Sequence, residues 1–156
     1  HTNFEDHHPR KPNEVSCVLE VRNQTASFWL TGDVEKQGED EITERLTQKA
    51  LNHLRNKNLI FMAPHHGSKT SSSQELLTAL SPDEAFAQNG YRNRYGHPHS
   101  LVTARYQSMN IPFYQTSNTG AQVWSFYNAN KLNKAPLFQR GYSQRLWHRP
   151  PIEVGK

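Results

Sequence analysis

The sequence is poor in cysteine and in long apolar runs. The single cysteine, Cys17, excludes internal disulfides and zinc sites built from several cysteines. No stretch approaches the ~18–20 consecutive apolar residues of a membrane span, so the sequence predicts a soluble segment. The hydrophobic share of the 156 residues is 34%, and adding the 8 glycines leaves it below the ~45–50% typical of globular domains. We therefore expect one domain's length with a thin core, or a core completed by another part of a longer protein.

The chain also lacks an initiating methionine and an apolar signal region, which we interpret as a piece cut from a longer protein. Its net charge of +4 is uneven. Residues 128–156 hold six Lys and Arg against one Glu, whereas residues 1–127 hold twelve against thirteen acidic residues. Two interpretations of this basic tail stay open: a solvated, solubilising extension, or a contact with nucleic acid or lipid headgroups.

Apolar spacing predicts alternating strands and helices after an opening hairpin, which indicates an α/β fold with helices packed on a sheet. The chain divides into an N-terminal loop (1–14), an α/β domain (15–127) and a basic irregular tail (128–156). Ser72 and Glu75 have the spacing of a capping box. The predicted strands are 15–22, 26–31, 58–63, 83–88, 112–116 and 121–127, and the predicted helices are 35–55, 73–80 and 101–108.

Polar residues follow three predicted strands, at 31–33, 64–73 and 90–99, where α/β proteins usually place their sites. Asp33 could bridge two cations or cap the next helix. Of the adjacent histidines His65 and His66, one could bind a metal while the other donates a hydrogen bond or a proton. Two neighbouring histidines can also simply be hydrophilic residues of a loop without a function. The hydroxyls, lysine and helix start of residues 68–73 are typical of an anion site. The arginine in 93–99 suits phosphate, or the segment is a plain polar loop.

Together the segments LTGD, PHHGSKTSSS and NRYGHPH resemble the C-terminal part of the metallo-β-lactamase-like domain of ComEC-type DNA-internalisation proteins. These are inner-membrane channel proteins of bacterial natural transformation. The resemblance runs from about residue 13 to 123, and the second and third segments are its most specific part. It implies a C-terminal portion of a four-layer αβ/βα sandwich with a two-metal site at the sheet edges.

The resemblance also assigns roles to individual residues. It implies that Asp33 bridges the two metals and that His66, rather than His65, is a late metal ligand. His65 and His97 then polarise the substrate or protonate the leaving oxygen. The remaining implied contacts to phosphate or DNA are Ser68, Lys69, Asn93, Arg94 and His99.

The family's main metal-binding histidine motif lies upstream of LTGD and is absent from this sequence. The N-terminal group of His1, Asp6, His7 and His8 has the wrong spacing to replace it. We therefore expect two divalent metals, zinc or manganese, only in the intact domain, with weak or no binding and no nuclease activity in this fragment.

For the whole protein, the resemblance implies metal-dependent degradation of the strand of DNA that does not enter the cell. The domain would then lie on the periplasmic side of the inner membrane, with single-stranded DNA and the rest of the channel protein as partners. The alternative is a non-catalytic module that binds single-stranded DNA and steers it to the channel. In that case the aromatic residues of the basic tail would stack on bases; they are Tyr127, Phe138, Tyr142 and Trp147.

Overall fold

The computed structural model describes residues 12–55, 57–126 and 136–143, and it has the predicted α/β architecture. A five-stranded sheet has the order β1-β2-β3-β4-β5; β1 is antiparallel to β2, and β2 to β5 run parallel. Its strands are Leu19–Arg22 (β1), Ala26–Leu30 (β2), Asn58–Met62 (β3), Glu84–Ala87 (β4) and Phe113–Gln115 (β5). The helices are Lys36–Arg45 (α1), Gln48–Arg55 (α2), Gln74–Leu80 (α3), Ser100–Ser108 (α4), Thr116–Thr119 (α5) and Gln139–Tyr142 (α6).

The core lies between one face of this sheet and the helices. Alternate residues of β3, such as Leu59 and Phe61, point to this face and are almost fully buried. Leu77 of α3 and Tyr106 of α4 close the core from the other side. Because β2 to β4 are covered in this way, their neighbouring ends hold the loops that follow them in fixed positions.

The opposite face of the sheet is apolar but only partly covered. Phe28, Phe86 and Trp124 form an aromatic cluster on this face, with ring centroids 5.1–5.6 Å apart. In the register of the sheet, Val21 lies opposite Phe28 and Leu19 opposite Leu30. Leu19 and Val21 are both 55% exposed, so this apolar surface extends onto β1, where the described residues leave it largely open.

Two predicted helix boundaries were wrong. The helix predicted at 35–55 is interrupted, because Leu46 has extended backbone (ψ 101°) and the Thr47 hydroxyl accepts the Ala50 N–H as a new helix begins. Helix α3 begins one residue later than the capping box predicts. Ser73, rather than Ser72, caps it by accepting the Leu76 N–H.

Strand β1 is shorter than predicted, because residues 12–15 form a 3₁₀ turn. The strand predicted at 121–127 is reduced to Gln122–Val123 (β6), which pairs with Leu137–Phe138 (β7). Arg140 of α6 also donates a hydrogen bond to the Ser117 carbonyl. Residues 136–143, which we expected to be irregular, are therefore folded onto the α/β domain.

Of the tail aromatics predicted to stack on bases, Phe138 lies in β7 and Tyr142 in α6, and their stacking on bases stays a prediction. Tyr127 and Trp147 lie outside the described residues, as do the N-terminal histidines at 1–8. The domain division at 127 stays a prediction. Within the described ranges, no helix combines the length and apolar character needed to cross a membrane.

Candidate functional site

The three polar stretches meet at one edge of the sheet. Strands β2, β3 and β4 are adjacent and parallel, so their carboxyl ends point the same way. Backbone hydrogen bonds join the stretches: His65 N–H donates to the Gly32 carbonyl at 3.0 Å, and His99 N–H donates to the Gly67 carbonyl at 2.8 Å. Residues far apart in sequence thus form a single cleft.

Asp33 and His66 face each other in this cleft. The Oδ1 atom of Asp33 lies 3.5 Å from Nε2 of His66, and both side chains are about half exposed, at 45% and 49%. The other ring nitrogen, Nδ1, lies 2.7 Å from the Gln88 carbonyl oxygen, which can only accept a hydrogen bond. That bond places the proton of a neutral ring on Nδ1 and leaves the Nε2 lone pair toward Asp33, as metal-ligating histidines require.

The histidine pair has an unusual backbone. His65, His66 and Gly67 all have positive φ, at 47°, 56° and 79°, although such values are uncommon for histidine. Gly67 also packs against the Pro98 ring, and a Cβ built on it would lie 2.8 Å from the Pro98 Cβ. The glycine of the HHG segment therefore lets the YGHPH segment dock against it.

Replacement of Gly67 by alanine is expected to lower the free energy of unfolding by about 1–3 kcal/mol, because alanine is strained at positive φ and its methyl group collides with Pro98. Urea unfolding of the two chains measures this difference. Gly96 also has positive φ (68°) but has no atom near its Cβ position, so Gly96→Ala is the control with backbone strain alone. An equal loss for both variants would contradict the docking argument.

His65 and His97 form a second pair beside the first. Their rings meet edge to face, with centroids 5.7 Å apart. The Nδ1 atoms of both rings are buried without a hydrogen bond to any described group. Nδ1 of His65 does lie 3.1 Å from Oε1 of Glu35, at ion-pair distance but without hydrogen-bond geometry. Buried polar atoms without hydrogen-bond partners are rare, so these two nitrogens are candidates for contacts with a bound group in the cleft.

Burial, together with the neighbouring His65, His66 and His99, lowers the pKa of His97 below 6.5. The unfolded chain therefore binds this proton more readily than the folded chain, and the free energy of unfolding should fall as the pH drops below about 6.5. We expect His97→Gln to reduce this fall, measured by urea unfolding at about pH 7.5 and about pH 5.5. An unchanged pH dependence in the variant would contradict it.

The asparagine and histidines of the NRYGHPH segment organise their own loop. The Asn93 side chain donates to the His97 carbonyl at 2.6 Å and accepts the His97 N–H at 2.9 Å. His99 caps α4, with Nδ1 accepting the Leu101 N–H. Their polar atoms therefore hold His97 in place, and the predicted phosphate contacts of Asn93 and His99 stay predictions.

The serine-rich segment is turned largely inward. Ser68 is buried, and its hydroxyl lies 3.1 Å from that of Thr70, whereas Lys69 is exposed. The N–H groups of Ser72 and Ser73, next to the start of α3, donate to the buried carboxylate of Glu39. The Glu39 carboxylate thus accepts backbone N–H groups that the sequence predicted to bind an external anion. Phosphate binding at Ser68 and Lys69 stays a prediction.

Two small cavities open along the cleft and share His66 and Gln88. One has a volume of about 110 Å³ and the other of about 190 Å³. Tyr95 and His97 line the larger cavity, with Arg94 exposed beside Tyr95. Among the described residues, no three His, Cys, Asp or Glu side chains lie close enough together to hold a metal ion. The described part of the cleft therefore presents the Asp33–His66 pair without a third such side chain, and metal binding by this pair stays a prediction.

Sequence reasoning missed several residues that shape the cleft. Gln88 supplies the carbonyl that orients His66, and the Asn89 amide contacts the His97 carbonyl and the Ser117 hydroxyl. Both follow β4 directly, so their position at a strand end was an available signal. Glu35, near His65, lies two residues after Asp33 and could have been found in the same way.

Sequence similarity places the chain in the ComEC family of competence proteins. It is 39% identical over 109 residues to competence protein ComA of Neisseria gonorrhoeae, and 34% identical over 121 residues to ComE operon protein 3 of Bacillus subtilis. Recombination protein 2 of Haemophilus influenzae is 31% identical over 118 residues.

These matches cover 70%, 77% and 76% of the chain, but only 15%, 15% and 14% of the respective relatives. The chain therefore spans about a seventh of their length. No protein-family model matches it.

Proposed function

We propose that this cleft is part of a metal-dependent phosphodiesterase site that degrades the non-transforming strand during DNA uptake. The observation that carries the proposal is the contact of Asp33 and His66, with the Gln88 carbonyl fixing the ring so that Nε2 faces the carboxylate. A contact of this kind is unnecessary for binding DNA, whereas metal-assisted hydrolysis needs oriented ligands.

The donor set fits part of a two-metal site. The half-exposed carboxylate of Asp33 can give one oxygen to each of two cations, and His66 offers one imidazole nitrogen. A zinc ion takes about four ligands, so the other donors would come from the upstream histidine motif that the family resemblance implies. Two such cations would lower the pKa of a bound water and neutralise charge on the phosphate.

His65 and His97 have different roles toward the substrate in this proposal. Nδ1 of His65 lies 3.1 Å from the Glu35 carboxylate, and we assign to His65 the proton transfer to the leaving oxygen. His97 has a pKa lowered by burial and is therefore neutral near pH 7, so its ring contributes a neutral hydrogen bond rather than a proton. The 5.7 Å between the ring centroids lets both reach one substrate group.

The proposed partners follow from the same family. We place the domain on the periplasmic side of the inner membrane, joined to the rest of a channel protein. The partly covered sheet face with Leu19, Val21 and Phe28 would pack on another part of that longer protein. Such packing would also explain why a chain of this length has so few apolar residues.

The test uses the longer gene product that carries the upstream histidine motif, supplied with Zn²⁺ or Mn²⁺. We expect it to bind metal by isothermal titration and to cut a labelled single-stranded oligonucleotide, and EDTA should stop the cutting. The 156-residue chain alone should not cut. Metal binding by the longer product without any cutting of DNA would reject the proposal and leave the DNA-binding alternative.

A further inference from the structure

A tyrosine and an arginine stand together at the mouth of the cleft. The Tyr95 side chain is 65% exposed although it lines the cavity that also contains His66 and His97. The Arg94 guanidinium lies over its ring, 4.7 Å from the centroid, and the His97 ring is nearly parallel to it at 5.9 Å. An exposed aromatic side chain, covered on one face by Arg94, therefore lies directly beside the proposed reaction centre.

The same loop repeats this arrangement once. Arg92 lies over the ring of Tyr91, 5.4 Å from its centroid, and the Tyr91 side chain is 52% exposed. An exposed aromatic ring can stack on a flat ligand, and an arginine beside it can bind an anionic group. Two arginine–tyrosine pairs within five residues therefore mark a surface that recognises a flat, anionic ligand.

The charge of the sequence around this loop fits such a ligand. No Asp or Glu occurs between residues 85 and 152, and thirteen of the fourteen acidic residues precede this range. Arg105 and Arg140 within it are used internally, because they donate to backbone carbonyls of Ser72 and Ser117. Arg92 and Arg94 are exposed and have no acidic neighbour in the sequence, so they are suited to external phosphates. In the free chain Arg94 donates a hydrogen bond to the Tyr95 hydroxyl.

We infer that residues 91–97, the tyrosine loop, are a stacking platform for unpaired bases that guides a single strand into the cleft. Tyr95 receives a base, Tyr91 receives a neighbouring one, and Arg92 and Arg94 contact the phosphates between them. Single strands expose the faces of their bases, whereas a duplex hides them in its own stack. The inference rests on the proposed function in taking DNA as the ligand, and it adds how a single strand is distinguished from a duplex.

Arg94 is part of the mechanism of this platform. It covers the Tyr95 ring in the free chain, but an exposed cation–π contact is weaker than the stacking of a base on an aromatic ring. A base therefore displaces the guanidinium, which then reaches the adjacent phosphate. This exchange predicts that Arg94→Ala lowers the salt dependence of binding by about one phosphate contact.

The test measures fluorescence anisotropy of a labelled oligo-dT of about 20 nucleotides with the 156-residue chain in EDTA, so that cutting plays no part. We expect Tyr95→Ala to raise the Kd about 5- to 150-fold for the single strand and to leave binding of a duplex of equal length nearly unchanged. Tyr95→Phe, which keeps the ring, should stay within about twofold of the wild type. Val15→Ala is the control, since this exposed apolar side chain (61%) lies in the 3₁₀ turn at 12–15, outside the tyrosine loop.

Circular dichroism and thermal unfolding check that each variant is folded, which is expected for an exposed side chain. Equal affinity of Tyr95→Ala and wild type for the single strand would overturn the inference, and so would an equal loss in Val15→Ala. Failure of the two proposals is distinguishable. A longer product that cuts DNA with no effect of Tyr95→Ala on binding rejects only the platform, whereas a binding effect without cutting rejects only the phosphodiesterase.

Discussion

Cutting of single-stranded DNA by the longer gene product is expected to fall at least about 10³-fold when Asp33 is replaced by asparagine. The proposed role of Asp33 needs two equivalent, negatively charged oxygens, one for each cation. An asparagine amide is neutral and has a single oxygen, so it neither bridges two cations nor offsets their charge. Loss of several kcal/mol of charge stabilisation corresponds to this fall in rate. Initial rates on a labelled oligonucleotide measure it.

Asp40→Asn is the matched control for this experiment. Asp40 is also a partly exposed aspartate close in sequence, but it lies on α1 and forms an ion pair with Lys36 rather than facing the cleft. We expect the control to cut at the wild-type rate. Metal binding should fall in Asp33→Asn and not in Asp40→Asn. An Asp33→Asn variant that still cuts at the wild-type rate would remove Asp33 from the metal site.

The location of the cleft could be predicted from the sequence, because it depends on local patterns. Short apolar runs identify β2 to β4, and parallel neighbours bring their carboxyl ends to one edge. Asp33 and His66 follow β2 and β3 within four residues, and His97 lies in the loop after β4, ten residues beyond its end. Their proximity then follows from the sheet order alone, which consecutive strands usually obey.

Contacts across long sequence distances could not be predicted in this way. The packing of Gly67 on Pro98 couples two motifs that the sequence presents separately, and its positive φ has no local signature beyond the glycine itself. Glu39 is the clearest case. In the sequence it is one of several acids near a helix start, where the helix dipole favours acidic side chains, yet in the structure it is completely buried.

Glu39 is buried because residues 68–73, the serine-rich segment, pass over its carboxylate. Its two carboxylate oxygens accept the N–H groups of Ser72 and Ser73, 33 and 34 residues away in the chain. Ser72 has positive φ (55°), which aims its N–H at the carboxylate. Tyr106, fully buried on α4, donates its hydroxyl to the Ser72 side chain at 3.1 Å. The carboxylate therefore connects α1, the serine-rich segment and α4.

Replacement of Glu39 by alanine should accordingly cost about 2–6 kcal/mol of unfolding free energy, because it leaves two buried N–H groups without acceptors at about 1–3 kcal/mol each. Glu39→Gln retains one acceptor oxygen and should lose about half as much. Glu44→Ala on the exposed surface of the same helix is the control for helix propensity and should change the free energy by less than about 0.5 kcal/mol. Urea unfolding at neutral pH measures all three. A loss in Glu39→Ala no larger than in Glu44→Ala would contradict the network, since the serine N–H groups would then have found other acceptors.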